Sequence, residues 1–454
     1  MSQERLLEIL GSISSFIWGP PLLVLLVGTG IYLTFRLGFL QLRLLPYSLK
    51  LAFSKNQDKK SEGDISHFQA LMTALAATVG TGNIVGVATA VLMGGPGAVF
   101  WMWLSAFFGM ATKYAEAVLA VKYRVQDENG EMSGGPMYYL ERGLKQKWLG
   151  VLFALFGAIA AFGIGNLVQA NSVAGIVQST FSVPTWITGI ILTIFTALVL
   201  IGGIKSIGKV TAFFVPIMAV FYLIAGLIIL FTNIDLIPGA LALIFTDAFT
   251  GEAVAGGAIG AVIRYGVARG VFSNEAGLGS APIAAAAAKT DMPGRQALVS
   301  MTQVFIDTII ICSITGLTIV MAGMYGQGLE GGELTTASFE KFLGSAGTYV
   351  VAIGLLFFAS STIIGWSYYG EKCFAYLFSK KVVIYYRLVF VLAVFVGCVT
   401  SLDIVWTFAD IANGLMALPN LIGLIGLSGV VALETKNIIK AIKEEKANSK
   451  KMIA

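Results

Sequence analysis

Long stretches without a single charge recur from one end of this chain to the other, and they leave few folds open. In hydrocarbon every backbone N–H and C=O must find a partner within the protein, so only helices and closed barrels cross a bilayer. About 20 consecutive apolar residues make one helical crossing. The runs are too long for barrel strands, and the period-two alternation such strands need is absent. The expected class is therefore an all-α polytopic membrane protein. Composition agrees: of 454 residues, 57% are hydrophobic and 12% charged, with a mean hydropathy of +0.83. No soluble globular chain of this size has that balance.

Apolar runs fall near 13–35, 69–92, 97–121, 148–180, 184–202, 210–231, 253–288, 297–324, 347–378, 382–400 and 403–431, which gives eleven transmembrane helices. The basic residues decide their direction, because Lys and Arg concentrate in cytoplasmic loops. With the N-terminus outside, the inner loops hold Arg36, Arg43, Lys50, Lys55, Lys59, Lys60, Lys122, Arg124, Arg142, Lys145, Lys147, Lys205, Lys209, Lys289, Arg295, Lys380, Lys381 and Arg387. The tail adds Lys436, Lys440, Lys443, Lys446, Lys450 and Lys451, whereas Arg5 and Lys341 remain outside. The expectation is a plasma-membrane protein with its N-terminus outside and its C-terminus cytoplasmic. The net charge of +5 thus sets orientation and does not point to nucleic acid. The opening MSQERLLEIL carries Glu4 and Glu8 and lacks the basic start of a cleaved signal peptide.

Setting the first span aside leaves ten, and these divide into two sets of five. The first span of each set is interrupted by glycine and polar residues, at ATVGTGNIVG and at ARGVFSNEAGLGSAP. Five spans separate the two interruptions, so they cross in opposite directions. That pattern predicts an inverted-repeat secondary transporter. The expected divisions are 1–66 for the extra helix and loop, 67–232 and 233–432 for the two repeats, and 433–454 for a basic tail.

Glycine costs about 1 kcal/mol relative to alanine inside a helix, and Gly80, Gly82 and Gly86 lie together. A break there frees backbone groups that must face protein, water or a ligand. The half-helix starting near Asn83 offers N–H groups and a positive dipole end to a carboxylate. The half ending near Val79 offers carbonyls to Na⁺ or an ammonium group. An amino-acid zwitterion carries both charges. Close helix packing is the bland alternative, and it is the better account of Gly86, Ala88 and Ala90. In the second break Ser273, Asn274 and Glu275 supply polar groups and Phe272 an apolar lid; otherwise the span simply ends early.

Other polar residues lie within spans. Asn166 and Gln169 are expected to face the interior, against substrate or another helix. Ser360, Ser361 and Thr362 form a hydroxyl cluster that suits a neutral-ligand site for a monovalent cation, or else caps its own helix. Asp307 is a carboxylate deep in an uninterrupted span, a candidate for a cation or proton, or an ion-pair partner of Arg264 or Arg269. Lys113 and Glu116, three apart, read as a structural pair near the inner surface. His67 is the single histidine, and Cys312, Cys373 and Cys398 stand alone, so neither a metal centre of those ligands nor a disulfide framework is indicated.

Four motifs in order, AATVGTGNIVGVATA, GGPGAVFWMW…ATKYAEAVLAVKYR, SGGPMYYLERGL and RGVFSNEAGLGSAP, resemble the alanine or glycine:cation symporter family over almost the whole chain. The resemblance implies Na⁺-coupled uptake of alanine or glycine and a LeuT-like five-plus-five fold shared with neurotransmitter:sodium symporters. Val79–Gly80–Thr81–Gly82–Asn83 matches a V-G-x-G-N pattern common in that fold. By that match the backbone at Thr81 and Gly82 holds the substrate carboxylate and the Thr78 carbonyl the amine. The carbonyls of Ala76 and Val79, with Ser361 and Thr362, form a Na⁺ site, and Asn83 contributes to a second one. The tyrosine those relatives place on their third repeat span is missing. GIGNLVQANS offers Gln169 and Asn171 in its stead. Phe272, Ser273, Asn274 and Trp366 complete the expected substrate site, with Phe272 and Trp366 limiting its size. Na⁺ as coupling ion, no organic cofactor, and lipid and a small amino acid as partners follow. A proton-coupled carrier of the same fold, with Asp307 titrating, and an ion channel are the alternatives; no nucleophile–base set supports an enzyme.

Overall fold

The computed structural model describes residues 3–54, 60–128, 130–249, 258–329, 331–400 and 403–453. Residues 253–257 of the seventh expected span, and Lys55 and Lys59 of the first inner loop, lie outside them. The chain is helical almost throughout. Helices α1 (Gln3–Ile17) and α2 (Pro20–Arg36) form the first apolar unit, joined at Trp18–Gly19, where Pro20 opens the second helix without losing a needed N–H. This unit begins earlier than the expected position 13. An amphipathic helix α3 (Leu40–Ala52) follows, then α4 (His67–Thr78), which starts on a reciprocal cap between Ser66 and Gln69. After a 54° bend the chain continues through a wide π-helical turn, Gly82–Gly86, into α5 (Val87–Gly94).

The remaining helices are α6 (Ala98–Lys122), α7 (Lys147–Phe162), α8 (Val168–Phe181), α9 (Thr185–Ile201), α10 (Gly203–Thr232), α11 (Ile237–Asp247) and α12 (Ala258–Asn274). Then come α13 (Pro293–Val304), α14 (Ser313–Ala322), α15 (Gly331–Leu343), α16 (Ser345–Leu377), α17 (Val383–Val399), α18 (Asp403–Gly426) and α19 (Ser428–Ile453). Wide π turns at Gly163–Leu167 and Phe305–Cys312 join α7 to α8 and α13 to α14. Among the described residues, 8 helical units are long and apolar enough to cross a membrane, and the bent pair α4–α5 makes a ninth. Helix α9 is apolar but shorter, at 17 residues.

Burial separates the helices into centre and rim. The most apolar windows of α6 and α16 are 83% and 78% buried, against 33% for α10 and for α17. The rim helices show Ile191, Leu198, Phe213, Phe231 and Leu392 on their outer faces, as lipid contact requires. Among the described residues strands are nearly absent, as expected. The exception is a two-residue hairpin, Val125–Gln126 with Met132–Ser133, lying against the end of α16. Lys372 and Lys380 hold its Asp127 and Glu131. Beside it Asp64 N–H donates to Ala287 O (2.8 Å), and Arg124 donates to Ala286 O and Ala288 O. Burial pushes the Asp64 carboxyl up from its ordinary value. The basic tail forms most of a 26-residue helix, α19. Its Ile438 and Ile442 are buried, and Glu434 and Glu445 pair with Lys122 and Arg295.

Candidate functional site

The glycines of the opening interruption do interrupt the helix. Val79 adopts an extended conformation (φ −76°, ψ 93°), and the helical path resumes two residues later. Space dictates the residue type: a Cβ on Gly80 would collide with Thr362 Oγ1, and one on Gly82 would sit 3.1 Å from Ser273 Cα. Gly86 is different, since a Cβ there would find nothing nearer than 3.9 Å. Close packing therefore does not demand that glycine, contrary to expectation, although Ala88 and Ala90 are fully buried.

On the carbonyl side of the break four expected oxygens meet. Ser361 Oγ lies 3.2 Å from Ala76 O, and Thr362 Oγ1 lies 3.4 Å from Val79 O. Both hydroxyls also donate to Phe358 O, at 2.8 and 3.0 Å, so a fifth oxygen joins the group. The set is neutral, buried and all oxygen, and it joins α4 to α16. Ser360, the third hydroxyl of the cluster, has no part in it.

On the N–H side a small cavity of about 20 Å³ is lined by Thr78, Gly80, Thr81, Gly82, Gln169, Phe272, Glu275, Thr362 and Trp366, with Ile164, Leu278 and Asn413. Gln169 reaches Thr81 twice: its Oε1 accepts from Thr81 N–H at 3.4 Å, and its Nε2 donates to Thr81 Oγ1 at 3.1 Å. Gly165 makes room for Trp366, because any side chain at that position would run into the indole. Of the expected substrate residues, Asn171 is not brought here; its amide donates to Gly397 O and Thr400 O. Asn166 is buried as expected but serves another helix, donating to Phe390 O. Ser273 and Asn274 also lie outside the cavity, in a neighbouring cluster.

That cluster is built on Asp307. Its Oδ1 accepts from Asn83 Nδ2 (2.7 Å), and its Oδ2 from Ser273 Oγ (2.9 Å) and Thr308 Oγ1 (2.8 Å). Asn274 Nδ2 donates to Thr308 Oγ1 (3.0 Å). Asn83 Oδ1 in turn accepts from Gly80 N–H at 2.9 Å. The ion pair of Asp307 with Arg264 or Arg269 does not form. Those arginines line a separate, wider cavity beside α1 and α18. One carboxylate therefore ties the first break, through Asn83, to the last turn of α12 at the second.

The second break is as real as the first. Ser273, Asn274 and Glu275 are buried, so the span does not end early at a surface. Glu275 (φ 58°), Gly277 (φ 91°) and Gly279 (φ 85°) turn the chain before a short helix at Pro282–Ala286. Its freed groups are taken up by α6. Glu116 Oε1 accepts from Gly277 N–H and Gly279 N–H, each at 3.1 Å, and from Asn420 Nδ2 at 2.7 Å. Lys113 Nζ donates to Glu275 O at 3.0 Å and stands 3.8 Å from Glu116 Oε2. The expected pair forms, but it is wholly buried and lies at the break rather than near a surface. Thus each break is served by a carboxylate from the helix that follows the other break.

Sequence reasoning did not single out Ile164, Leu278, Phe358 or Asn413. For Asn413 a signal existed, an amide in the apolar run IANGLMALPN. It is fully buried, and neither side-chain polar atom has a partner among the described residues.

Comparison with known proteins points one way. The model of the sodium:alanine symporter family matches residues 3–452. The sodium/alanine symporter AgcS of Methanococcus maripaludis is 62% identical over 450 residues, covering 97% of this chain and 99% of that protein. The probable sodium/glutamine symporter GlnT of Bacillus subtilis is 41% identical over 446 residues, covering 98% and 93%. Among solved structures, MhsT in complex with L-phenylalanine superposes with a TM-score of 0.61 at 16% identity, over 83% of this chain and 93% of that one. At that identity the likeness concerns the fold.

Proposed function

Because this chain belongs to the sodium:alanine symporter family, we propose that it carries alanine or glycine into the cell together with Na⁺ by alternating access. It is a multi-pass membrane transporter and not an enzyme. In the proposed topology α9 and α12 bring the crossings to eleven, an extra span followed by two inverted sets of five. The N-terminus lies outside and the C-terminus in the cytoplasm.

The observation that carries the reading is the polarity of the first break. Thr81 and Gly82 line a small cavity on one side, and carbonyls at Ala76 and Val79 converge with two hydroxyls on the other. The substrate carboxylate binds at the Thr81 and Gly82 N–H groups beside Gln169, and its ammonium group at the Thr78 carbonyl. Na⁺ binds among Ala76 O, Val79 O, Phe358 O, Ser361 Oγ and Thr362 Oγ1. The hydroxyls, which donate to carbonyls in this structure, rotate to present lone pairs and so lock α4 to α16. A second cation binds where Asn83, Ser273 and Asp307 meet. Walls of Ile164, Phe272, Leu278 and Trp366 leave a cavity of about 20 Å³, roughly the room of one water. Even glycine needs more room than that, so the walls must part to admit a substrate, and they part least for glycine or alanine. One net charge moving inward through 100 mV supplies about 2.3 kcal/mol, roughly a fiftyfold concentration ratio.

Reconstituted vesicles test this by uptake of labelled glycine and both alanine enantiomers, with Na⁺ and pH gradients varied separately. Uptake that ignores the Na⁺ gradient overturns the reading. A buried carboxylate with no basic partner among the described residues favours one rival, proton coupling through Asp307. That rival requires uptake driven by a pH gradient in Na⁺-free buffer and its loss in Asp307→Asn.

A further inference from the structure

Helix α18 carries two asparagines seven residues apart, Asn413 and Asn420, and two helical turns set them on the same face. Both are fully buried. Their surroundings divide them. Asn420 is fully employed at the second break: its Nδ2 donates to Glu116 Oε1 (2.7 Å) and Gly277 O (2.8 Å), and its Oδ1 accepts from the Tyr139 hydroxyl. At Asn413 neither Nδ2 nor Oδ1 has a partner among the described residues. That residue lines the small cavity together with Thr81, Gly82 and Gln169. A buried amide left uncompleted costs the desolvation of its donor and of its acceptor. The turn that packs against it does not remove this cost. Gly163, whose added Cβ would strike Ala409, lets the turn Gly163–Leu167 close on α18 one turn before Asn413. Gln169, just after, spends its own amide on Thr81 and on Ile164 O (2.9 Å). Of the two amide side chains that line the cavity, Gln169 is thus committed and Asn413 is open at both ends.

We propose that Asn413 is a substrate-contacting residue, its Oδ1 accepting from the ammonium group of a bound α-amino acid and its Nδ2 donating to the carboxylate. A primary amide carries an acceptor and a donor on one carbon, and an α-amino acid carries the complementary pair on one carbon. One side chain therefore meets both charges, and the ligand class it selects is a zwitterion with those charges adjacent. An ammonium group has three N–H bonds and a carboxylate two oxygens, so the backbone at Thr78, Thr81 and Gly82 stays engaged. The last span, from which no substrate residue was expected, thereby joins the site. Because substrate completes the amide, its burial weakens the substrate-free protein and strengthens the complex. This assignment rests on reading the cavity as the transport site, and its test separates the two.

The test is equilibrium binding of labelled L-alanine to the full chain in lipid nanodiscs with Na⁺ present, beside thermal unfolding without alanine. Asn413→Leu keeps the branched shape and drops both polar atoms. It should weaken alanine binding by about tenfold or more, as loss of charge-assisted contacts does. Asn413→Ala, which cannot overfill the site, should weaken it likewise. The unfolding shift produced by Na⁺ alone should persist in both, because Asn413 is not among the proposed cation ligands. Asn420→Leu supplies the contrast: it removes bonds already made and should lower the unfolding temperature, whereas Asn413→Leu should not. Alanine affinity within about twofold of wild type in both Asn413 variants overturns the assignment and leaves the amide to a buried water. So does a parallel loss of the Na⁺ shift, or an Asn413→Leu protein as destabilised as Asn420→Leu. A wild-type chain that binds no alanine in Na⁺ would instead overturn the transport site itself, and this contact with it.

Discussion

The two breaks free the same kinds of backbone group and dispose of them in opposite ways. At the second, protein completes the circuit: Glu116 takes the N–H groups of Gly277 and Gly279, and Lys113 takes the carbonyl of Glu275. At the first, the complement is partial. Asn83 and Gln169 reach the N–H groups of Gly80 and Thr81, and the carbonyls meet hydroxyls that can turn away. A helix interrupted in a bilayer must be completed by something, and the proposed site lies at the first break, where the protein's own complement is partial. Polar, glycine-rich interruptions alone do not mark a binding site; what stands opposite them does.

The sharpest way to break this contrast is to remove the internal complement. Glu116→Ala strands two N–H groups and leaves Lys113 buried without its partner, a loss of about 3–5 kcal/mol for a buried pair. We expect little monodisperse protein, with partial recovery in Lys113→Met combined with Glu116→Gln. Chromatography and thermal unfolding in detergent report it, and a Glu116→Ala protein as stable as wild type would refute the structural role of the second break.

Next in size is Gly82→Leu, which drives a side chain toward Ser273 and Phe272. Alanine uptake should vanish while the protein still folds, with a loss of about 1–3 kcal/mol from overpacking; unchanged uptake would remove the first break from the substrate path. A smaller effect is expected from Ser361→Ala with Thr362→Ala. Half-maximal uptake should then need about tenfold more Na⁺, near the 1.4 kcal/mol expected from losing such oxygen contacts, and an unaltered Na⁺ dependence would move the ion elsewhere. The least change belongs to Gly86→Ala, where the added methyl meets open space. It should leave uptake intact and raise stability by up to about 1 kcal/mol, whereas inactivation would mean the turn after Asn83 must flex.

The membrane class, the two interruptions and the hydroxyl cluster were legible because each depends on residue type along one segment. What escaped was relation between segments. Asp307 looked ready to pair with an arginine, since nothing in FIDTIIIC says that a wide turn aims it at Asn83 and Ser273. Asn171 and Gln169 are two residues apart, and that spacing sends one amide to the cavity and the other to the carbonyls near Gly397. The turns at Gly82, Gly163 and Phe305 decide these directions, and π geometry leaves little mark on composition. The C-terminal helix was hidden by its own charge, since a basic segment reads as solvated until Ile438 and Ile442 are seen buried.

The crossed service of the breaks bears on how such a chain can change over generations. Glu116 follows the first break and completes the second, while Asp307 follows the second and anchors the first. Split between them, neither fragment carries the carboxylate its own interruption needs. A drift around one break is judged at the other. Compensating substitutions are therefore to be sought roughly two hundred positions away rather than among neighbours in sequence.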